Sequence, residues 1–322
     1  MRTAVALVLA TGLVASLAAC SSEEAPAGAC QPTSSGSASE SVSASGDFGT
    51  APTLEFASPL TVETTERSVL IDGSGDRVAE TGELVFADFT LYNGTTGEQI
   101  EATDYTAARS NNFTLSEEVF LPGIVRTLSC ASVGDRVVGV VPPAEGLVQG
   151  SEELGISATD SLVFVFDVHD IMESRATGED VPVEDSSLPT VTLGEDGTPT
   201  LTIPDTAPPA EFKLAVLKQG DGVEIADGDT VWVQYQGTNW NTDTIFDQSW
   251  GVRGPTSFAT SGVIPGFTQA LVGQKVGSQV LAVIPPDLGY GPSGGTDTIG
   301  ATDTIVFVID ILGVNPAVET TE

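Results

Sequence analysis

The chain has 322 residues, with 45 acidic and 11 basic side chains and a formal net charge of −34. A surface of that sign repels nucleic acid and anionic lipid headgroups, so nucleic-acid binding and electrostatic attachment to a membrane are both disfavoured. One histidine and three cysteines provide no Cys/His metal spacing, and no metal or cofactor is expected.

The first segment, residues 1–19, carries one cation, Arg2, and then an apolar run from Ala4 to Ala19. The run is short for a membrane span and reads as a secretory signal. It ends Leu17-Ala18-Ala19-Cys20, which resembles a bacterial lipobox. That resemblance implies cleavage before Cys20, lipidation of its thiol, and anchoring at the extracytoplasmic face of the cell membrane. Residues 20–47 are rich in Ser, Ala, Gly and Glu. They hold too little apolar surface to offset their ordering entropy, and the composition predicts a flexible stalk without a fold. Cys30 lies in this stretch and Cys130 beyond it. The sequence leaves open whether they form a disulfide, because spacing does not fix geometry.

The remainder is written twice. Leu121-Pro122-Gly123-Ile124 matches Ile264-Pro265-Gly266-Phe267, and Val141-Pro142-Pro143 matches Ile284-Pro285-Pro286. The run from Asp160 to Asp167 matches that from Asp303 to Asp310. The copies occupy residues 48–173 and 187–315, with an acidic linker over 174–186 and a tail over 316–322. Each copy opens with extra strand-like material, at 53–56 and 60–62 in the first and at 190–193 and 200–203 in the second. These strands are expected to pack on the main sheets or to bridge the copies. Asp72-Gly-Ser-Gly-Asp76 and Asp227-Gly-Asp229 lack the further carboxylate spacing of a calcium loop and read as turns. His169, at the end of an apolar strand, reads as structural.

The second copy carries the chemistry. Pro265-Gly266 opens a short helix in which Phe267, Ala270 and Leu271 share one face at i, i+3 and i+4. A helix this short is unstable alone and needs a sheet beneath it. Strands are predicted at 230–236, 279–284 and 304–312. Five pieces come in order: Val233-Gln234-Tyr235-Gln236-Gly237, Ile245-Phe246-Asp247-Gln248-Ser249, Val263-Ile264-Pro265-Gly266-Phe267, then the run from Ile284 through Pro285-Pro286 to Gly289-Tyr290-Gly291, and Ile305-Val306-Phe307-Val308-Ile309-Asp310. Together they resemble the FKBP-type peptidyl-prolyl cis-trans isomerase family.

The resemblance implies an α+β fold: two tandem FKBP-like domains, each an antiparallel sheet wrapped around one short helix. It implies catalytic roles for Tyr235, Phe246, Asp247, Phe267 and Tyr290, and substrate binding by Val263, Ile264, Ile299 and Phe307. Phe267 is the expected floor, Asp247 a buried carboxylate, and Tyr290 and the Ile264 amide donors to substrate carbonyls. Thr256 falls where the family often has phenylalanine, so Trp240 and Trp250 are the expected substitutes. The first copy departs from the pattern, with Phe89, Ile100, Glu101, Phe120, Leu121, Ile124 and Leu147 at the matching places; Ile156 and Phe164 keep the usual type. A weak or inactive pocket is expected there. The implied function is isomerisation of proline-containing polypeptides during folding of exported proteins, with activity mainly in the second copy and the membrane reached only through the lipid anchor. A non-catalytic proline-peptide binding module and a structural surface lipoprotein are the alternatives. The short glycine-rich loop at 292–297 argues against a large client-binding insertion at that place.

Overall fold

The computed structural model describes residues 30–75, 77–105, 111–291, 295 and 298–317. The signal segment, Cys20 and most of the 292–297 loop lie outside the described residues. In chain order the elements are α1 (Ser37–Glu40), β1 (Ser43–Ser45), β2 (Thr53–Glu55), β3 (Glu66–Ile71), β4 (Leu84–Asn93), β5 (Gln99–Ala102), β6 (Asn112–Thr114), α2 (Pro122–Leu128), β7 (Arg136–Val141) and β8 (Leu162–Met172). There follow β9 (Glu179–Asp180), β10 (Thr190–Leu193), β11 (Pro199–Thr202), β12 (Lys213–Gln219), β13 (Thr230–Asn239), β14 (Thr244–Gln248), β15 (Thr256–Ala259), α3 (Pro265–Leu271), β16 (Gln279–Ile284) and β17 (Ile305–Asn315). Sheet dominates and the helices are short. Among the described residues no helix is long and apolar enough to cross a membrane.

Among the described residues the strands form two large antiparallel sheets and two small antiparallel hairpins, β1-β2 and β10-β11. The first large sheet runs β3-β7-β8-β4-β5 with β6 also on β4, and the second runs β14-β13-β17-β16-β12-β9 with β15 also on β13. The spacing of the repeat survives in space. β13 starts at Thr230, 146 residues after Leu84 of β4, and α3 starts at Pro265, 143 residues after Pro122 of α2. Strands β7 and β16 are buried along their whole length, because each has the helix on one face and added material on the other. In α3, Gly266, Phe267, Ala270 and Leu271 are buried. The helix lies so close to β16 that a Cβ at Gly266 would collide with Ile284, which is why the Pro-Gly opening carries no side chain at that point.

The added segments cover the backs of the sheets. Leu54 and Leu60 pack on Val138, Val140, Val163 and Val165 in the first half. In the second half Val191, Leu201 and Ile203 pack with Leu188 on Leu281, Val283, Val306 and Val308. Residues 60–62 are not a strand; Leu60 is held instead by its amide donating to the Gly94 carbonyl at 2.9 Å.

The predicted stalk is corrected over residues 30–47. Cys30 is bonded to Cys130, with Cα atoms 5.7 Å apart. The amides of Ala38 and Ser39 donate to the Glu66 carboxylate at 2.8 and 3.1 Å, and Ala38, Ser39 and Val42 are buried. The first half therefore carries a second helical turn, α1, which packs against β3 and β7. The segment from 174 to 186 is likewise tied down. Its β9 adds an edge strand to β12 through Asp180–Lys218 and Glu179–Gln219 pairing, and the Gly178 amide donates to the Gly277 carbonyl at 2.9 Å.

One buried acid in each sheet holds the chain that precedes it. In the first, Asp167 accepts from Arg136 at 2.6 and 2.7 Å and from the Gly49 amide at 2.7 Å. The same guanidinium donates to the Gly46, Asp47 and Thr50 carbonyls. In the second, the matching acid is Asp310, which accepts from the Ala176 amide at 2.7 Å. Where the first sheet has Arg136 the second has Gln279, which donates to Asp310 at 2.6 Å. Burial without an ion-pair partner in contact pushes the Asp310 carboxyl up to about 6. His169 bonds to Asp88 at 2.8 Å and meets the Phe48 ring edge-on. The two sheets touch through Leu84, Phe86, Met172, Trp232 and Leu312.

Candidate active site

Alternation on β13 turns Val231, Val233 and Tyr235 inward, since strand side chains point to opposite faces in turn. All three are buried in the core beneath α3. Opposite them β14 carries Phe246 and Asp247. Neighbouring strand residues would ordinarily face opposite ways. Here the pairing shifts between Gly237–Asp247 and Thr238–Ile245, and this irregularity turns both side chains to one side. The start of α3 contributes Val263, Ile264 and Phe267, and β17 contributes Phe307.

Tyr235, Phe246, Asp247, Val263, Ile264, Phe267 and Phe307, with Phe258, Gly262 and Tyr290, line a cavity of about 310 Å³, and Val231 and Val233 stay in the core beside it. Its rings meet edge to face: Phe267 and Phe307 at 5.0 Å and 86°, Phe246 and Phe307 at 5.6 Å and 87°, Tyr235 and Phe267 at 6.2 Å and 86°. Such contacts add roughly 0.5–1.5 kcal/mol per pair beyond burial and fix the rings in place.

The polar groups gather on one side. The Tyr235 hydroxyl donates to Asp247 Oδ2 at 2.5 Å. The Arg253 guanidinium donates to that hydroxyl and to Asp247 Oδ1, the latter at 2.8 Å. Burial, and then the bond to Asp247, push the Tyr235 phenol up to about 12, so it remains a neutral donor at physiological pH. Tyr290 stands at the rim, 39 % exposed, its phenol raised by burial and then by the Asp247 charge. Ile264 precedes the first turn of α3, and its amide has no protein acceptor among the described residues. That leaves one backbone donor unpaired at the N-terminus of α3, on a residue that lines the cavity.

Eight of the nine expected residues line this cavity: Tyr235, Phe246, Asp247, Val263, Ile264, Phe267, Tyr290 and Phe307. Ile299 does not; it is buried in the core packed behind. Asp247 is not buried, its side chain being 46 % exposed, because it sits at the mouth with Arg253 outside it. Trp240 and Trp250 do not replace the wall at Thr256. They pack on the opposite face of the sheet with Leu281 and Val306. The wall comes from Phe258, whose ring lies 5.6 Å from Tyr235 and 5.8 Å from Phe267. The sequence reading missed Phe258 and Arg253. Period-two alternation from Thr256 was the available signal for Phe258; a lone loop arginine gave none.

In the first sheet the corresponding space is crowded by rings. Phe113, which pairs with Val85 as Phe258 pairs with Val231, meets Phe89 at 6.0 Å, Phe120 at 5.5 Å and Phe166 at 5.2 Å. Phe120 stands where the second half has the smaller Val263. Phe89 and Leu147 bring no hydroxyl, and Ile100, Leu121, Ile124, Ile156 and Phe164 join the apolar core. Glu101 is exposed on β5.

An aromatic cup of this size, with neutral donors and no activated nucleophile among its lining residues, suits a non-covalent change in a small apolar ring and its flanking carbonyls. The comparisons agree. The sequence model of the FKBP-type peptidyl-prolyl cis-trans isomerases matches residues 222–312. A probable FK506-binding protein of Corynebacterium glutamicum is 35 % identical over 115 residues, which are 35 % of this chain and 96 % of that protein. The FKBP-type isomerase FkpA of Escherichia coli is 41 % identical over 102 residues, 32 % of this chain but only 37 % of FkpA. The Legionella longbeachae outer membrane protein MIP is 35 % identical over 109 residues, 34 % of this chain and 46 % of that protein. Among solved structures, that of E. coli FkpA aligns with a TM-score of 0.32 at 33 % identity, over 42 % of this chain and 54 % of that one. The chain belongs to the FKBP-type peptidyl-prolyl cis-trans isomerase family.

Proposed function

We propose that the chain is built from two tandem FKBP-like domains, residues 48–173 and 187–315, and that the second is the working isomerase. The observation that carries this reading is the 310 Å³ aromatic cavity bounded by Tyr235, Asp247, Phe267 and Tyr290. Rotation about an X-Pro bond meets a barrier of roughly 18–20 kcal/mol because it breaks amide resonance. The twisted amide has lost the charge separation that water stabilises in the planar form. A dry cup therefore favours the twisted form over the flat one. The proline ring would sit on Phe267 between Phe246, Phe258 and Phe307. The Ile264 amide and the Tyr290 hydroxyl would hold the flanking carbonyls, and Tyr235, fixed by Asp247 and Arg253, would shape the polar wall. Val263 borders the mouth. Ile299 acts from behind, as packing.

The first domain, its cup filled by Phe113 and Phe120, is proposed to be weak or inactive. The substrates are proposed to be proline-containing segments of exported proteins, with the chain held at the extracytoplasmic face of the membrane by lipid on Cys20. A protease-coupled proline-peptide assay on the chain lacking residues 1–20 tests the catalytic reading. Asp247→Ala, Tyr290→Phe and Phe267→Ala should each lower kcat/KM. Tight binding of proline peptides with no turnover above the uncatalysed rate would establish the binding-module reading instead. Incorporation of labelled palmitate, lost in Cys20→Ala, tests the anchor.

A further inference from the structure

The loop that carries Arg253 also carries the contact between the two sheets. Its base is Ser249, whose carbonyl accepts from the amides of Val252, Arg253 and Gly254 at 3.1–3.2 Å. The Ser249 hydroxyl donates to Gln234 Oε1 at 2.6 Å and accepts from the Tyr235 amide at 2.8 Å. Gln234 in turn donates to the Ser174 carbonyl at 3.3 Å, on the segment leaving the first sheet. At the far end of the loop Gly254 rests on Thr114 of β6. A Cβ at Gly254 would lie 2.8 Å from Thr114 Cγ2, so the fit is one of direct contact. Thr114 is itself buried and paired with Leu84. Beside it Phe86 of the first sheet meets Trp232 of β13 edge-on at 5.3 Å, three residues before Tyr235.

We infer that the first half positions Arg253 in the second: Thr114, with the Phe86–Trp232 contact and the Ser174–Gln234–Ser249 bonds, holds the loop so that the guanidinium stays on Tyr235 and Asp247. Thr114 touches neither the cavity nor its contents, so it is a positioning residue. Arg253 is 45 % exposed at its side chain and gains little from burial. An exposed ion pair holds two long side chains in place only weakly, whereas a loop clamped at both ends removes most of that freedom beforehand. The first half thus has a use even with its own cup filled. This inference rests on the proposed isomerase site.

A double-mutant cycle on the full chain from residue 21 tests it. Thr114→Ala should lower kcat/KM about threefold or more in the parent and leave it unchanged in an Arg253→Ala background. Thr114→Val, which keeps the methyl contact with Gly254, should restore the parent value. Phe86→Leu, a milder change at the same seam, should show the same dependence on Arg253. Equal losses with and without Arg253, or no loss in Thr114→Ala at an unchanged thermal midpoint, overturn the inference. If Phe267→Ala also leaves turnover intact, the isomerase reading falls instead, so the two failures are told apart.

Discussion

Replacing Asp310 with asparagine should stabilise the protein at neutral pH, and the size of the effect follows from the surroundings of the carboxyl. Asp310 is 1 % exposed. It accepts from the Ala176 amide and Gln279, while Lys218 and Arg175 act only from a distance. Burial wins, and the group titrates at about 6 rather than 3.8. Below 3.8 both the folded and the unfolded chain hold the proton. As pH rises from 4 to 6 the unfolded chain releases it first, so folding loses stability over that window, and above 6 the whole loss stands. At 1.36 kcal/mol per pH unit the loss is about 3 kcal/mol. Asparagine keeps an acceptor for Ala176, and its amide bonds Gln279 once that side chain turns over. Urea unfolding of parent and Asp310→Asn from pH 4 to 8 gives a difference curve free of the other 44 acids. It should rise by 1–3 kcal/mol between pH 4 and 6 and then level off. A flat curve, or a variant less stable at pH 7, refutes the reasoning.

Arg136→Gln puts the second sheet's glutamine into the first and leaves three carbonyls and Asp167 without their guanidinium; a loss of about 3–5 kcal/mol is expected in urea unfolding, and a loss below 1 kcal/mol would show the pair to be dispensable. Cys130→Ser opens a link across 100 residues, for which chain entropy gives about 4.7 kcal/mol; the thermal midpoint should fall and become insensitive to reductant. Tyr235→Phe removes one hydroxyl from the Asp247–Arg253 cluster. A net hydrogen-bond worth of about 0.5–1.5 kcal/mol corresponds to a two- to twelvefold drop in kcat/KM with the fold unchanged.

The cup was legible through the family resemblance, whose pieces sit at fixed steps from strong punctuation: Tyr235 two before Gly237, Phe267 two after Pro265. The resemblance carried by those ordered pieces implied that Phe246, Phe267 and Phe307 meet, and all three line the cavity. Asp247 lines the cavity but lies less deep than the resemblance implies, since strand alternation does not reveal the pairing shift that swings it to the mouth. Residues 30–47 were misread as a stalk for a related reason. Their composition is that of a disordered segment, and what orders them is distant in sequence: Cys130, the Glu66 carboxylate and the Arg136 guanidinium. The same holds for β9, which is ordered by backbone pairing with β12 and by the Lys218–Asp180 ion pair, both distant in sequence. Arg253 became meaningful only when the fold set it beside Tyr235.

The Cys30–Cys130 link would also limit how far a lipid-anchored chain can roam. If lipid holds Cys20, only ten residues of leash separate the bilayer from the first residue bolted to the globule, and at full stretch they reach about 35 Å. A free tether to residue 47 would have allowed about 90 Å. Such an anchor would keep the cavity in the layer next to the membrane.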